Sequence, residues 1–298
     1  QNTWGVSMLG DYQTAEPTPA ALRAMGEIIG WKNHGKLTRI LSTHGVRRTF
    51  KDVFGEQEIV HQVEIAALTP KQREVYEKFE AEAVLELDKF FIEGTQPGVA
   101  FLRARQILEH PNHFPDLTDP GKFVDIIPGE APGKELLLEE HLLDHQTTGM
   151  PLLIFSPLVP QQHSIAKLCE KLKMSHRLMN GSVKMEDRDV LDQQFQAGEF
   201  QVMIASPQVC DVGFNWQWIG KRELDHIIFM TPDYLDSTIN QAIGRAVRGN
   251  RTNPLRVTFL HYEDTLERRV FEIVHKKSID AHLVDENRPI LDFGGFLS

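Results

Sequence analysis

Leu152-Leu153-Ile154-Phe155-Ser156 is an apolar run of four residues closed by a serine and followed by Pro157. A strand with apolar side chains on both faces has no face to give to water. The run therefore predicts a strand inside a parallel sheet that helices cover on both sides. The same pattern repeats outward from it. Residues 161–173 place Ile165, Leu168 and Leu172 at helical spacing, and His176–Met179 reads as a short strand. Residues 184–197 form a helix, Val202–Ala205 a second buried strand, and residues 226–230 a third. Residues 256–260 are the last clear strand, and residues 265–282 the terminal helix. Strand and helix alternating at this spacing give right-handed βαβ units and an α/β fold.

In such sheets ligands collect at the carboxyl ends of the strands. Those ends are Ser156-Pro157, Asn180-Gly181-Ser182, Ser206-Pro207-Gln208, Thr231-Pro232 and His261. Four of the five carry small or polar residues suited to phosphate contact.

Upstream of residue 133 the chain is less regular. Residues 1–20 are mixed, with Pro17 and Pro19, and residues 20–31 and 36–44 have helical patterning. Residues 59–65 alternate as a strand does. Thr69-Pro70 supplies an N-cap and a first-turn proline for a helix expected to reach about residue 87. Residues 99–110 are helical up to Pro111, and residues 111–133, with five prolines, read as a loop or linker. The division expected is a helical connector or protrusion over 1–55 and a lobe over 56–298, its core strands beginning near residue 150.

The totals narrow the partners. The 298 residues carry a formal net charge of −10, so any nucleic-acid contact comes from a local groove rather than a basic surface. Two cysteines, Cys169 and Cys210, stand far apart, which suits a reduced intracellular setting and argues against a structural zinc. No apolar run spans a membrane and no secretory signal is present. The first residue is Gln1, so the chain is expected to be a piece of a longer protein.

The most informative stretch follows the third buried strand: Gln241-Ala-Ile-Gly244-Arg245-Ala-Val-Arg248, then Gly249-Asn-Arg251. Asp236-Ser237 offers a helix start and Gly249 a stop. At about 100° per residue, Gln241, Arg245 and Arg248 share one face of that helix. Two guanidiniums and an amide in a row suit phosphate oxygens. Gly244 leaves room for a ligand or backbone to approach. Taken alone, the stripe could equally be a solvated basic face. His110 and His113 lack partners at metal-ligand spacing, and Cys210 lacks a base, so neither is read as a site.

The motifs together resemble the C-terminal RecA-like lobe of superfamily-two helicases, of the Swi/Snf-type ATP-driven DNA translocases. Gln241-x-x-Gly244-Arg245-x-x-Arg248 resembles the family's last motif, Ser206-x6-Gly213-Phe214-Asn215 an earlier one, and Asn180-Gly181-Ser182 with Arg188 another. Thr265-Leu-Glu267 is similar to the start of the terminal helix. Arg47-Arg48 with Asp52-Val53, Leu68-Thr69 with Gln72 and Tyr76, and Leu102-Arg103 with His110-Pro111 resemble upstream segments in the same order. The resemblance covers roughly residues 40–285 and implies a RecA-like parallel sheet.

It also implies roles. Arg245 and Arg248 would face the γ-phosphate of ATP with Mg²⁺, with Gln241, Gly244, Gly213 and Asn215 at the nucleotide edge. Ser156, Gly181, Arg188, Ser206 and Tyr234 would follow the backbone of a DNA duplex. Cys210-Asp211 replaces a Gly-Gly pair, Tyr234 a Trp, and the usual "iGQ" after Arg248 is missing. These departures suggest a divergent branch, viral or bacterial, acting in the bacterial or host cytoplasm rather than the nucleus. No phosphate loop of the G-x-x-x-x-G-K-[S/T] type and no D-E-x-[H/D] strand occurs here. The nucleotide is thus expected to be held mainly by an N-terminal RecA-like lobe outside this chain, and this chain alone to be inactive. The alternatives are a non-catalytic lobe that binds nucleic acid or protein, and a subunit of a restriction-type translocase.

Overall fold

The computed structural model describes residues 12–14, 28–31, 36, 39–40, 43, 58–82, 84–87, 90–93, 97–116, 119, 121–211, 213–231, 236–247 and 251–284. The chain divides into two compact units, residues 1–56 with 275–291 and residues 57–274 with 292–298.

In the first unit, strands β1 (Tyr12–Thr14) and β2 (Ile28–Trp31) pair antiparallel. Helical patterning over 20–31 is therefore overturned at its end. Ile28-Ile29-Gly30-Trp31 is a β-branched and aromatic run, and a partner strand outweighs the weak helical period.

The second unit is built on six strands, all parallel. They are β3 (Ile59–Ala66), β8 (Leu152–Phe155), β9 (His176–Met179), β10 (Val202–Ala205), β13 (His226–Phe229) and β14 (Leu255–Tyr262). Their order is β3-β14-β13-β8-β10-β9. Leu152 lies opposite Val202, Leu153 opposite Ile227, and β14 and β3 pair from Leu255↔Ile59 to Tyr262↔Ala66. Every residue of β8, β10 and β13 is buried, as an apolar run with no polar face requires. Edge strand β3 instead is only partly buried, with Val60 and Ile65 exposed. Phe155, Phe229 and Phe259 stand in a row across three strands, successive centroids 5.0 Å apart. Each contact of this kind contributes about 0.5–1.5 kcal/mol beyond the area it buries.

Helices cover both faces. α3 (Gly133–Thr148) and α4 (Val159–Lys171) close over β8 and β10 through Leu138, Leu142, Ile165, Ala166 and Cys169. α5 (Met185–Ala197) follows β9, and α7 (Leu266–Val284) follows β14. Gly149 ends α3 at φ 66°, where its N–H donates to the His145 carbonyl; the left-handed conformation makes glycine the cheapest residue there.

A second cluster lies beside the sheet's β3 edge. α1 (Pro70–Glu82) and α2 (Pro97–Glu109) bring Val75, Tyr76, Phe79, Ile107 and Leu108 together with Phe114, Ile126 and Ile127. The proline-rich stretch 111–133 is thus not a linker. A 3₁₀ turn (Pro111–His113) and a short ladder of β6 (Phe114–Pro115) with β7 (Phe123–Val124) fold it into the core. Its apolar residues decide this, not its prolines. α1 also ends earlier than its pattern suggested. Val84–Leu87 leaves the helix and pairs antiparallel, as β4, with β5 (Phe90–Glu93). Strand pairing is invisible to helical periodicity.

Candidate functional site

The arginine stretch forms α6 (Asp236–Gly244), which follows β13. Ile239, Ala242, Ile243 and Ala246, at helical spacing, are all buried. That apolar stripe seats the helix and leaves Gln241 exposed on the other side. Among the described residues nothing lies within 4 Å of where a Cβ on Gly244 would stand.

The helix is shorter than its caps implied. It stops at Gly244, and the chain tightens into i→i+3 bonds, with Arg245 N–H on the Ala242 carbonyl (3.1 Å) and Ala246 N–H on Ile243 (3.0 Å). Two partners from elsewhere in the chain hold this turn. The Trp216 N–H donates to the Arg245 carbonyl (2.8 Å), and the Arg251 guanidinium to the Ala246 carbonyl (3.1 Å). Arg245 therefore sits, half-buried, on a terminal turn rather than on a continuous helical face. Arg248 and Tyr234 lie outside the described residues, as do Arg47, Arg48, Asp52 and Val53.

Trp216 belongs to the loop after β10. A 3₁₀ turn (Pro207–Asp211) leads to Gly213, at φ 65° and exposed, and then to Phe214-Asn215-Trp216. Phe214 and Trp216 are buried and stacked at 5.2 Å, and the Trp216 indole N–H donates to Asp192 on α5 (2.7 Å). The two rings anchor the loop, so the residues between and before them, Asn215 and Gly213, face outward. The Trp216–Arg245 bond then ties this presented edge to the arginine turn. Two motifs 29 positions apart thereby become one surface.

The other expected backbone-contact residues divide. Gly181 is exposed with open space around it. Asn180 accepts from the Ser182 N–H (3.0 Å) and hydroxyl (2.6 Å), and Arg188 folds back to the Val183 carbonyl (2.9 Å), so these side chains shape the Gly181 turn. The Ser206 hydroxyl, largely buried, donates to Gln208 (3.0 Å). Ser156 is wholly buried and donates to Gln161 Oε1 (2.6 Å). Its hydroxyl serves the interior, because the strand end lies beneath α4 rather than at the surface.

That interior holds a polar network that reading along the chain did not find. Lys134, 1% exposed, donates to Glu109 Oε1 (2.9 Å), Glu267 Oε1 (2.6 Å) and the Met230 carbonyl (2.8 Å). Glu109 also takes the Gln161 amide, and Gln161 Oε1 accepts from Ser156 and Thr231 (3.2 Å). Glu267 Oε2 accepts the Tyr262 N–H (2.8 Å), and the Tyr262 hydroxyl accepts the Lys134 N–H (2.8 Å). The carboxyl ends of β8, β13 and β14 are thus bound to the ends of α2, α3 and α7. Burial pushes the Glu109 carboxyl up to about 7, against the pull of Lys134. Gly133 makes the approach possible, since a Cβ there would fall 1.8 Å from the Ala67 carbonyl oxygen. The Thr265-Leu-Glu267 segment included Glu267, but no local signal marks Glu109 or a buried lysine.

A second group sits at the amino ends of the strands. His226 Nδ1 is 2.9 Å from His145 Nε2, and His226 Nε2 is 2.9 Å from the Thr258 hydroxyl. Burial, then the charge of Arg256, lowers His226 to about 2, so its ring is neutral. Among the described residues no group of His, Cys, Asp and Glu could hold a metal ion, and no helix is long and apolar enough to cross a membrane.

Comparison with known proteins agrees with this layout. Residues 133–250 match the helicase conserved C-terminal domain. The chain is 27% identical over 191 residues to a chromodomain-helicase-DNA-binding protein 1-like of Danio rerio, covering 63% of this chain and 18% of that one. It is 23% identical over 254 residues to a putative ATP-dependent helicase/translocase, YwqA, of Bacillus subtilis, covering 83% of this chain and 26% of that one. The chain therefore spans about a fifth to a quarter of these relatives' length. The C-terminal part of the Fun30 ATPase domain has the same fold, with a TM-score of 0.58 at 14% identity over 78% of this chain and 98% of that one. Residues 133–250 thus match a helicase C-terminal domain, the sheet has the fold of the Fun30 ATPase part, and in motif order the chain is similar to Swi/Snf-type proteins.

Proposed function

We propose that this chain is the C-terminal motor lobe of an ATP-dependent DNA translocase or helicase. The observation that carries the reading is the Trp216–Arg245 bond, which joins the Gly213–Asn215 edge to the arginine turn as one outward surface. An exposed Gln241, a Gly244 with no described residue within 4 Å of its Cβ position and a guanidinium beside them fit the phosphate end of a nucleotide. ATP with Mg²⁺ supplies the phosphoryl group that is transferred, and an N-terminal RecA-like lobe holds most of it. This chain's part is to bring Arg245 and Arg248 against the charge that develops there. Gly181, Arg188 and Ser206 line or shape the turns that follow a DNA backbone, where contacts set register without reading sequence. Opening and closing of the two lobes moves the grip along the duplex, and the single lobe hydrolyses no ATP.

In the full-length protein, Arg245→Ala lowers DNA-stimulated ATP hydrolysis by about 10³-fold or more. Its affinity for duplex DNA stays within a few-fold of the parent. Turnover near the parent's rate would refute the proposal. Cys210-Asp211, in place of a Gly-Gly pair, favours a second reading in which the lobe only binds nucleic acid or protein. A full-length protein that binds DNA but hydrolyses no ATP at any DNA concentration decides for that one.

A further inference from the structure

Three arginines follow one another at 245, 248 and 251, and the terminal nitrogens of the third are taken by backbone oxygens. Arg251 donates to the carbonyls of Ala246 (3.1 Å), Leu224 (2.6 Å) and Pro254 (3.3 Å). The next two residues are gripped as firmly. Glu223, 3% exposed, accepts from Thr252 N–H (3.1 Å), Thr252 Oγ1 (2.9 Å), Asn253 N–H (2.9 Å), Asn253 Nδ2 (3.0 Å) and Gln217 Nε2 (2.9 Å). Burial alone would raise this carboxyl, but the Gln217, Asn253 and Thr252 donors outweigh it and hold it below the usual range.

Glu223 and Leu224 are neighbours on the hairpin of β11 (Trp218–Ile219) and β12 (Arg222–Glu223). The hairpin thus holds Arg251, Thr252 and Asn253 at the far side of the segment, and Arg251 closes back on the Ala246 carbonyl at the near side. The Trp216 N–H holds the Arg245 carbonyl one residue earlier. Arg248 lies in sequence inside the loop that the Arg251–Ala246 bond closes. A charged group used on several carbonyls at once sets backbone geometry more tightly than a neutral one, because each bond is charge-assisted.

We infer that Arg251 and Glu223 are positioning residues, which fix the turn carrying Arg245 so that its guanidinium reaches the phosphate. The inference rests on the phosphate-facing reading of Arg245. Neither Arg251 nor Glu223 touches the nucleotide. Their effect runs through the turn, and a displacement of about 1 Å at a reacting group costs about a hundredfold in rate.

The test uses the full-length protein. Arg251→Ala lowers kcat of DNA-stimulated ATP hydrolysis by about tenfold to a hundredfold while KM for ATP shifts less than about threefold. Arg251→Lys, which keeps the charge but reaches fewer carbonyls, recovers part of the loss. Glu223→Gln, in which an amide N–H₂ faces donors, shows the same split. Arg245→Ala, run alongside, separates the two readings. If Arg245→Ala is inactive and Arg251→Ala matches the parent, the positioning role is wrong and the phosphate reading stands. If Arg245→Ala is active, the phosphate reading itself fails. If Arg251→Ala loses thermal stability, kcat and DNA affinity together and lysine recovers none of them, the clasp is merely structural and the inference is overturned.

Discussion

Two arrangements in this lobe hold a cation and carboxyl groups in place, and they use their charge differently. Around Lys134 charge meets charge: one ammonium, two carboxylates, all at most 1% exposed. Around Arg251 and Glu223 charge meets backbone: the guanidinium takes three carbonyls and the carboxylate takes loop N–H groups. The first binds helices to the sheet. Glu109 closes α2 and Lys134 opens α3, so each sits at the helix end that its charge disfavours. Each is held there by the other. The second leaves the core alone and shapes a loop. The contrast is between a device for folding and a device for aiming.

The largest effect should come from breaking the first. Lys134→Met leaves Glu109 and Glu267 buried side by side without a cation and costs about 3–5 kcal/mol of folding stability. Urea melts of the lobe measure this; a loss under about 1 kcal/mol would mean that the carboxylates find protons or water cheaply.

A smaller effect comes from the opposite end of the sheet, where polar groups are kept neutral rather than paired. His226 lies at about 2 when folded and 6.5 when unfolded. Its stabilising share is therefore complete above 6.5 and falls as pH drops below it, by about 2 kcal/mol on reaching pH 5. Melts of the parent and His226→Gln at pH 7 and pH 5 isolate this share. A pH dependence unchanged in the variant would show that the ring is not held neutral.

The smallest effect is expected for Glu109→Gln, which keeps the shape and removes one carboxylate, at about 1 kcal/mol near pH 7. Its pH trend has the opposite sign. The folded value of about 7 lies above the ordinary 4.5, so the parent loses stability as pH rises through that window and the variant does not. The gap between them narrows toward pH 8. A gap that stays constant from pH 5 to pH 8 would mean that Glu109 is charged throughout.

Much of the fold could be read along the chain because it follows from local pattern. Leu152–Phe155, Val202–Ala205 and His226–Phe229 are apolar without alternation, and all three are buried strands. Of the candidate site, the outward placement of Gly213, Asn215 and Gln241 followed from apolar neighbours at the right spacing. The inward turn of Ser156 did not, because Gln161 receives its hydroxyl beneath a helix whose seat only the packed sheet defines.

The sequence by itself determined the strand–helix alternation, the motif order and the identity of the arginines, since period and residue type act over a few positions. Tertiary structure decided three other things. Val84–Leu87 left a helix for a ladder, the proline-rich stretch joined the core, and the arginine helix ended at Gly244 instead of near Gly249. The ladder partner of Val84–Leu87 begins only three residues on, at Phe90, but strand pairing leaves no trace in a helical period. For the arginine turn the partners are Trp216, far upstream, and Arg251, which hold the Arg245 and Ala246 carbonyls in a way that residue type alone does not specify.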